Sequence, residues 1–101
     1  MVRFMALYNA PEDPEAFDLH YNEIHVPLAK QLPGLVSYTV SKNVTPLGGD
    51  AKPYLVAELD WESREAMQAA FASPIGAETA ADVPKFASGG SSLMVFDVAE
   101  V

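Results

Sequence analysis

The chain has 101 residues, half of them apolar and a tenth aromatic, with fourteen Asp and Glu against six Lys and Arg, a net charge of -8 and a pI near 4.4. That is enough for one domain with its own core, spanning residues 1–101, and no more. The scattered Lys and Arg argue against nucleic acid and anionic membrane as partners, and with no cysteine there is no disulfide, thiolate metal site or thiol nucleophile.

In chain order, Val2–Asn9 reads as a strand, ended by the turn-rich "APEDP". Its apolar run has no basic leader and no cleavage site, and nothing later reaches membrane-spanning length, so the expected location is the cytoplasm. Asp13 is placed to N-cap a helix with Pro14 at its first position, running to about Gln31 and stopped by Gly34. Leu35–Val44 is rich in β-branched and aromatic residues and reads as a second strand. "TPLGGDAKP" is a loop, and Tyr54–Trp61 a third strand. Ser63 then caps an alanine-rich helix over "REAMQAAFAS", with Met67, Ala70 and Phe71 on one face. "PIGAETAADVPKFAS" predicts a shorter, irregular helix broken before Pro84. "GGSS" is a turn, and "LMVFDVAEV" the last strand.

The order β-α-β-β-α-β is the ferredoxin-like split βαβ arrangement, an α+β fold with a four-stranded antiparallel sheet and helices on one face. The other face of such a sheet ordinarily meets water and alternates apolar with polar. Here Phe4, Ala6 and Tyr8 point one way and Met5 and Leu7 the other. In the last strand Leu93 and Val95 oppose Met94, Phe96 and Val98. Apolar residues on both faces call for two covers, and a second copy of the chain is the economical second one.

The first helix carries a breaker. At about 100° per residue, Phe17, Tyr21, Ile24, Leu28 and Leu32 form an apolar stripe, with His25 on its edge beside Tyr21 and His20 on the opposite edge. Leu19 and Val26 fall outside it. Pro27 cannot donate to the Glu23 carbonyl, and it biases Val26 out of helical geometry. A kink or tightened turn is expected at residues 23–27, at a cost of about 3 kcal/mol in an isolated helix. His25 there either does proton chemistry from the rim or simply caps the freed carbonyl.

The segment "AFDLHYNEIHVPLAKQLPGLVSYTV" resembles the EthD family, within the dimeric α/β-barrel superfamily: a tyrosine, a histidine one turn on, "xPLA", then "LPGL" leading into a strand. The match is close over Ala16–Val40. "LYNAPEDPEAF" and "AAFASPIGAETAADVPKF" are also similar to the family, so nearly the whole chain is covered. The resemblance implies a homodimer whose two sheets pack face to face as a barrel, with a pocket in each subunit between sheet and helices. Superfamily members include monooxygenases of polyketide aromatics, lactone isomerases, cyclases and haem enzymes, so the scaffold alone does not fix a reaction.

His25 is the leading candidate, a neutral imidazole able to give or take a proton, and it matches the family's motif histidine. Tyr21, one turn back, can share a hydrogen bond or a ligand with it, or serve as a core aromatic. Tyr8, Tyr38, Tyr54 and Trp61 are candidates to line a cavity for a flat substrate, against ordinary packing of strand aromatics. Asp82 and Phe86 in "ADVPKF" match a family-like segment near the pocket. Asp82 would orient His25, or else only start the turn before Pro84. His20 has no supporting motif and reads as a partly exposed helix residue.

Two histidines five apart do not share an α-helical face, so no metal pair is expected. "LGGD" and "SGGSS" lack the context of phosphate loops, and no poised serine stands out. The expected function is binding of an apolar or aromatic oxygenated metabolite by a homodimer. The chain would act as a cofactor-independent enzyme of monooxygenase or isomerase type with His25 as acid or base. The alternative is a non-catalytic binding or accessory protein. A third option, haem with His25 as ligand, is testable by the colour of the purified protein.

Overall fold

The computed structural model describes residues Met1–Val101. The strands are β1 (Val2–Asn9), β2 (Ser37–Ser41), β3 (Pro53–Trp61) and β4 (Ser91–Asp97). They form one antiparallel sheet in the order β2-β3-β1-β4. After β1 come α1 (Pro14–His20), a π-turn (Tyr21–His25) and α2 (Val26–Ala29), all one continuous helical segment. After β3 come α3 (Arg64–Ala72), α4 (Pro74–Asp82) and a 3₁₀ turn (Val83–Lys85). No helix is long and apolar enough to cross a membrane.

The caps explain the boundaries. Asp13 accepts from the Ala16 amide with Pro14 following it, as the sequence predicts. Ser63 does the same for α3 through Ala66. Ser73 serves two helices at once: its hydroxyl donates to the Ala70 carbonyl at 2.6 Å and accepts from the Gly76 amide at 3.1 Å. Pro74 therefore opens α4 where its missing N–H is not needed, and Pro84 falls after α4 has ended. The helix expected to be irregular is a regular nine-residue one for that reason. β2 is shorter than the Leu35–Val44 run, and β4 begins at Ser91 rather than Leu93.

The core lies between the sheet and the helices. Val2, Ala6 and Tyr8 of β1 and Leu55, Ala57, Leu59 and Trp61 of β3 meet Phe17, Tyr21, Ala29, Leu32, Met67, Ala70 and Phe86. Trp61 is completely buried, and its Nε1–H donates to the Pro33 carbonyl at 2.9 Å. Gly34, in the left-handed region at φ 71°, lets the chain turn tightly there, with the indole 3.5 Å from where a Cβ would stand.

The opposite face of the sheet is only partly apolar. Met5 pairs with Met94, Leu7 with Val56, and Arg3 with Phe96. Alongside them Arg3 makes a bidentate pair with Asp60 (2.8 and 3.0 Å) and a 3.0 Å pair with Glu58. Ser37, Thr39 and Ser41 extend the polar side. The molecule is a slab of 35 × 35 × 16 Å, two layers deep, so this face has no cover within the chain.

Candidate functional site

The site is built by a change of helical pitch. The residues buried along the first helical segment are Phe17, Tyr21, His25, Ala29 and Leu32, whereas Ile24 is 49% exposed and Leu28 only half-buried. Steps of four drift by about 40° each on a regular α-helix. The Val26 amide bonds back to the Tyr21 carbonyl, i→i+5, which adds a residue to the turn and absorbs that drift. The ladder resumes with Lys30 to Val26 at 3.0 Å. Because Pro27 offers no N–H to the Glu23 carbonyl, a widened turn sacrifices little. The distortion expected at the proline is thus real, but it is a loosened turn, and it brings His25 from the stripe's edge to its centre. His25 is 4% exposed rather than a rim residue, and it does not cap the Glu23 carbonyl.

His25 Nδ1 lies 2.9 Å from Asp82 Oδ2, so the ring donates there and leaves the Nε2 lone pair free. Asp82, itself 3% exposed, comes from the last turn of α4. Its second oxygen, Oδ1, is 2.9 Å from His20 Nε2. His20 is the member that sequence reasoning missed. In an α-helix residues five apart lie about 140° apart. The π-turn between them rotates both rings onto one carboxylate, so the expectation that the two histidines cannot share a face is overturned. Phe86 packs against both rings, 4.7 Å from His25 and 5.6 Å from His20.

Burial pushes the His25 pKa down, the Asp82 hydrogen bond and charge oppose that, and the charge of His20 adds to the lowering. Burial alone would raise Asp82, but the hydrogen bonds from His20 and His25 outweigh it and hold the carboxyl below its usual range. At neutral pH the arrangement is a neutral imidazole held by an ionised carboxylate.

Beside His25 lies a cavity of about 410 Å³ between the sheet and the helical layer, within the range of small-molecule sites. Fourteen of its eighteen lining residues are hydrophobic, and none is Asp, Glu, Lys or Arg. The space exists because the centre of the sheet is small. Ala6 and Ala57 stand opposite each other in register, and Ala29 and Gly76 face them from the helices. Ala77, Ala80, Pro84 and the 56% exposed Leu93 form an uncharged rim.

Few polar atoms enter this space. His25 Nε2 and the Tyr8 hydroxyl have no protein partner, yet no buried polar side-chain atom lacks one, so both are open to the cavity that their rings line. The Tyr21 and Tyr38 hydroxyls are 2.6 Å apart; one donates to the other, whose proton is left for a third partner. Burial raises the pKa values of Tyr8, Tyr21 and Tyr38, so all three remain protonated donors at neutral pH. Thr79 spends its hydroxyl on the Ile75 carbonyl.

Of the residues proposed from sequence, His25, Tyr21, Tyr8 and Tyr38 converge on the cavity. Asp82 and Phe86 stand behind His25 without lining the cavity. Two fall elsewhere. Trp61 is sealed in the core against Pro33, because it ends β3 beyond the cavity. Tyr54 meets Phe17 edge-on and donates to Asp18 Oδ1 at 2.8 Å, beside a separate small cleft. Trp61 lies on the helix side of the sheet but at the wrong height along the strand, and Tyr54 reaches Phe17 only because the register shifts beside it.

Residues 9–90 match the family profile of the EthD domain. A Rhodococcus erythropolis protein, described as an uncharacterized 11.0 kDa protein in the thcB-thcC intergenic region, is 42% identical over 97 residues, covering 96% of this chain and 94% of that one. The crystal structure of an EthD family protein from Bacillus halodurans superposes with a TM-score of 0.89 at 36% identity, over 98% of this chain and 99% of the other. SnoaB from Streptomyces nogalater, a cofactor-independent oxygenase, shares the fold at 20% identity, with a TM-score of 0.70 over 99% of this chain and 94% of its own. By the match over most of its length and by these relatives, the chain belongs to the EthD family.

Proposed function

We propose that the chain is a cofactor-independent enzyme acting on an uncharged apolar or aromatic compound that carries an oxygen, with His25 as the general acid or base. The observation that carries this reading is the orientation of His25: Nδ1 is fixed by Asp82, and Nε2 opens into an apolar cavity. Such a base takes a proton from an acidic C–H or O–H of the bound compound, and Asp82 stabilises the imidazolium that forms. The Tyr21–Tyr38 pair and Tyr8 offer hydroxyl donors to the oxygen on which charge develops. Proton abstraction to an enolate or phenolate is the common first step of isomerisation and of oxidation by O₂. The shared fold with a cofactor-independent oxygenase supports the second outcome.

The cavity's volume and apolar lining supply a test that needs no known substrate. Ala57→Leu should fill it from the sheet side without disturbing the His25–Asp82 pair. Binding of 1-naphthol, an uncharged bicyclic phenol followed by its fluorescence, is expected for the native chain. It should be weakened at least about tenfold in the variant, with thermal stability unchanged or raised. Equal binding by both proteins would show that the ligand sits elsewhere.

The reading includes a homodimer formed through the open sheet face. Met5, Leu7, Val56, Met94 and Phe96 make an apolar patch there, bordered by the Arg3–Asp60–Glu58 charges. A stable interface would bury roughly 1,600 Å² in all. Met94 is 44% exposed in the single chain. Met94→Asp should therefore yield monomers or aggregates in light scattering at micromolar concentration, where the native chain is dimeric. A monomeric native chain would end this part of the reading.

A further inference from the structure

The second imidazole on Asp82 has no part in the reading above. We infer that His20 is a positioning residue that controls the His25–Asp82 pair from the solvent side, by deciding whether the carboxylate's charge is already neutralised when His25 takes up a proton. The inference rests on the proposal that His25 does proton work.

The geometry requires the coupling. Each oxygen of Asp82 is held at 2.9 Å by one ring, so the two imidazoles share a single negative charge. Asp82 and His25 have side chains 4% and 6% exposed, while that of His20 is 22% exposed and meets water. A protonated His20 compensates Asp82 and leaves His25 facing a neutral pair inside an apolar wall. A neutral His20 leaves the full carboxylate charge to stabilise a protonated His25.

No other charged group competes. Asp82 is the sole ion-pair partner of either ring. On the same helical segment Asp18 is engaged by Tyr54, and Glu23 is exposed. On the following 3₁₀ turn Lys85 is exposed. Across the cavity the facing groups are the protonated hydroxyls of Tyr8, Tyr21 and Tyr38. Phe86 lies against both rings and keeps water from the carboxylate.

The device makes chemical sense. A buried base must be neutral to act, and a carboxylate held behind it raises its affinity for protons. A charged His20 satisfies Asp82 and so preserves His25 as a free base. With His20 neutral, the carboxylate is fully available to the imidazolium formed during turnover.

The chain contains only these two histidines, so substitution of one leaves a single imidazole to follow by NMR. His20→Gln keeps a donor for Asp82 Oδ1 but no charge, and should raise the titration midpoint of His25 by about 0.5–1 pH unit. His20→Lys keeps the charge at every pH and should place the His25 midpoint below that of the Gln variant by a similar amount. Coincident midpoints in the Gln and Lys variants, or a Gln midpoint below the native one, would overturn the inference. The two histidine proposals fail separately. Full activity in His25→Gln would end the acid–base reading even if the titrations couple. An inactive His25→Gln with coincident midpoints in the His20 variants would remove only the role of His20.

Discussion

His25→Gln is expected to lower turnover by about 10²–10⁴, the usual contribution of a general acid or base, while leaving the folded state nearly as stable as before. Glutamine can reach Asp82 with its amide N–H and so replaces the 2.9 Å hydrogen bond that His25 makes through Nδ1. It cannot titrate, and it puts no basic nitrogen into the cavity. His25→Ala is a poorer experiment than the helix stripe suggests. An exposed rim residue could be truncated freely, but His25 is buried against Phe86 and holds one oxygen of a buried carboxylate. Its loss would destabilise the fold by about 1–3 kcal/mol as well as removing the base. The contrast is read in kcat and in thermal unfolding. Stability preserved with activity lost in the Gln variant supports proton chemistry, and activity preserved with stability would reduce His25 to a structural hydrogen bond.

Much of this site is visible in the sequence, and the part that is not has one cause. Regular strand alternation puts Tyr8 and Tyr38 on the helix side, because successive residues of a strand point to opposite faces. Trp61 falls on that side by the same alternation, whereas Tyr54, seven residues earlier, would face away and meets Phe17 only because the register shifts beside it; both miss the cavity. The helix is where regular geometry misleads. A period of 3.6 selects Ile24 and Leu28, and only a π-turn selects His25 and Ala29. The signal was present in the four-residue spacing of Phe17, Tyr21, His25 and Ala29, with Pro27, which needs no bond from the preceding turn, between the last two. The same turn hid His20, whose partnership with Asp82 depends on tertiary contact with α4. The cavity itself is written in small residues, Ala6 opposite Ala57 and Gly76 above them, which read locally as ordinary strand and helix positions.

Gly76→Ala is expected to destabilise the chain, although helix propensity predicts the reverse. Alanine exceeds glycine by about 1 kcal/mol inside a helix, so an unconstrained exchange in α4 would raise stability. Gly76, however, lies where α4 crosses the end of α3, and a Cβ there would overlap the carbonyls of Ala70 and Phe71. These are backbone atoms of a capped helix end, held by Ser73, and cannot swing aside as a side chain would. The methyl is accommodated only if α4 moves away from α3. Overpacking of this kind costs about 1–3 kcal/mol, which exceeds the propensity gain at its upper end, and Gly76→Val should cost more. Each kcal/mol corresponds to about 4–8 °C in the melting temperature of a domain of this size. The shift reaches the site as well, because Gly76, Thr79 and Asp82 are the buried residues of α4. A displaced α4 draws Asp82 away from both imidazoles. Ala77→Val, one residue on and exposed, supplies the control and should change stability by less than about 0.5 kcal/mol. A Gly76→Val protein that melts with the native chain would show that the two helices do not approach so closely. It would also show that Asp82 is not held against His25 by this contact.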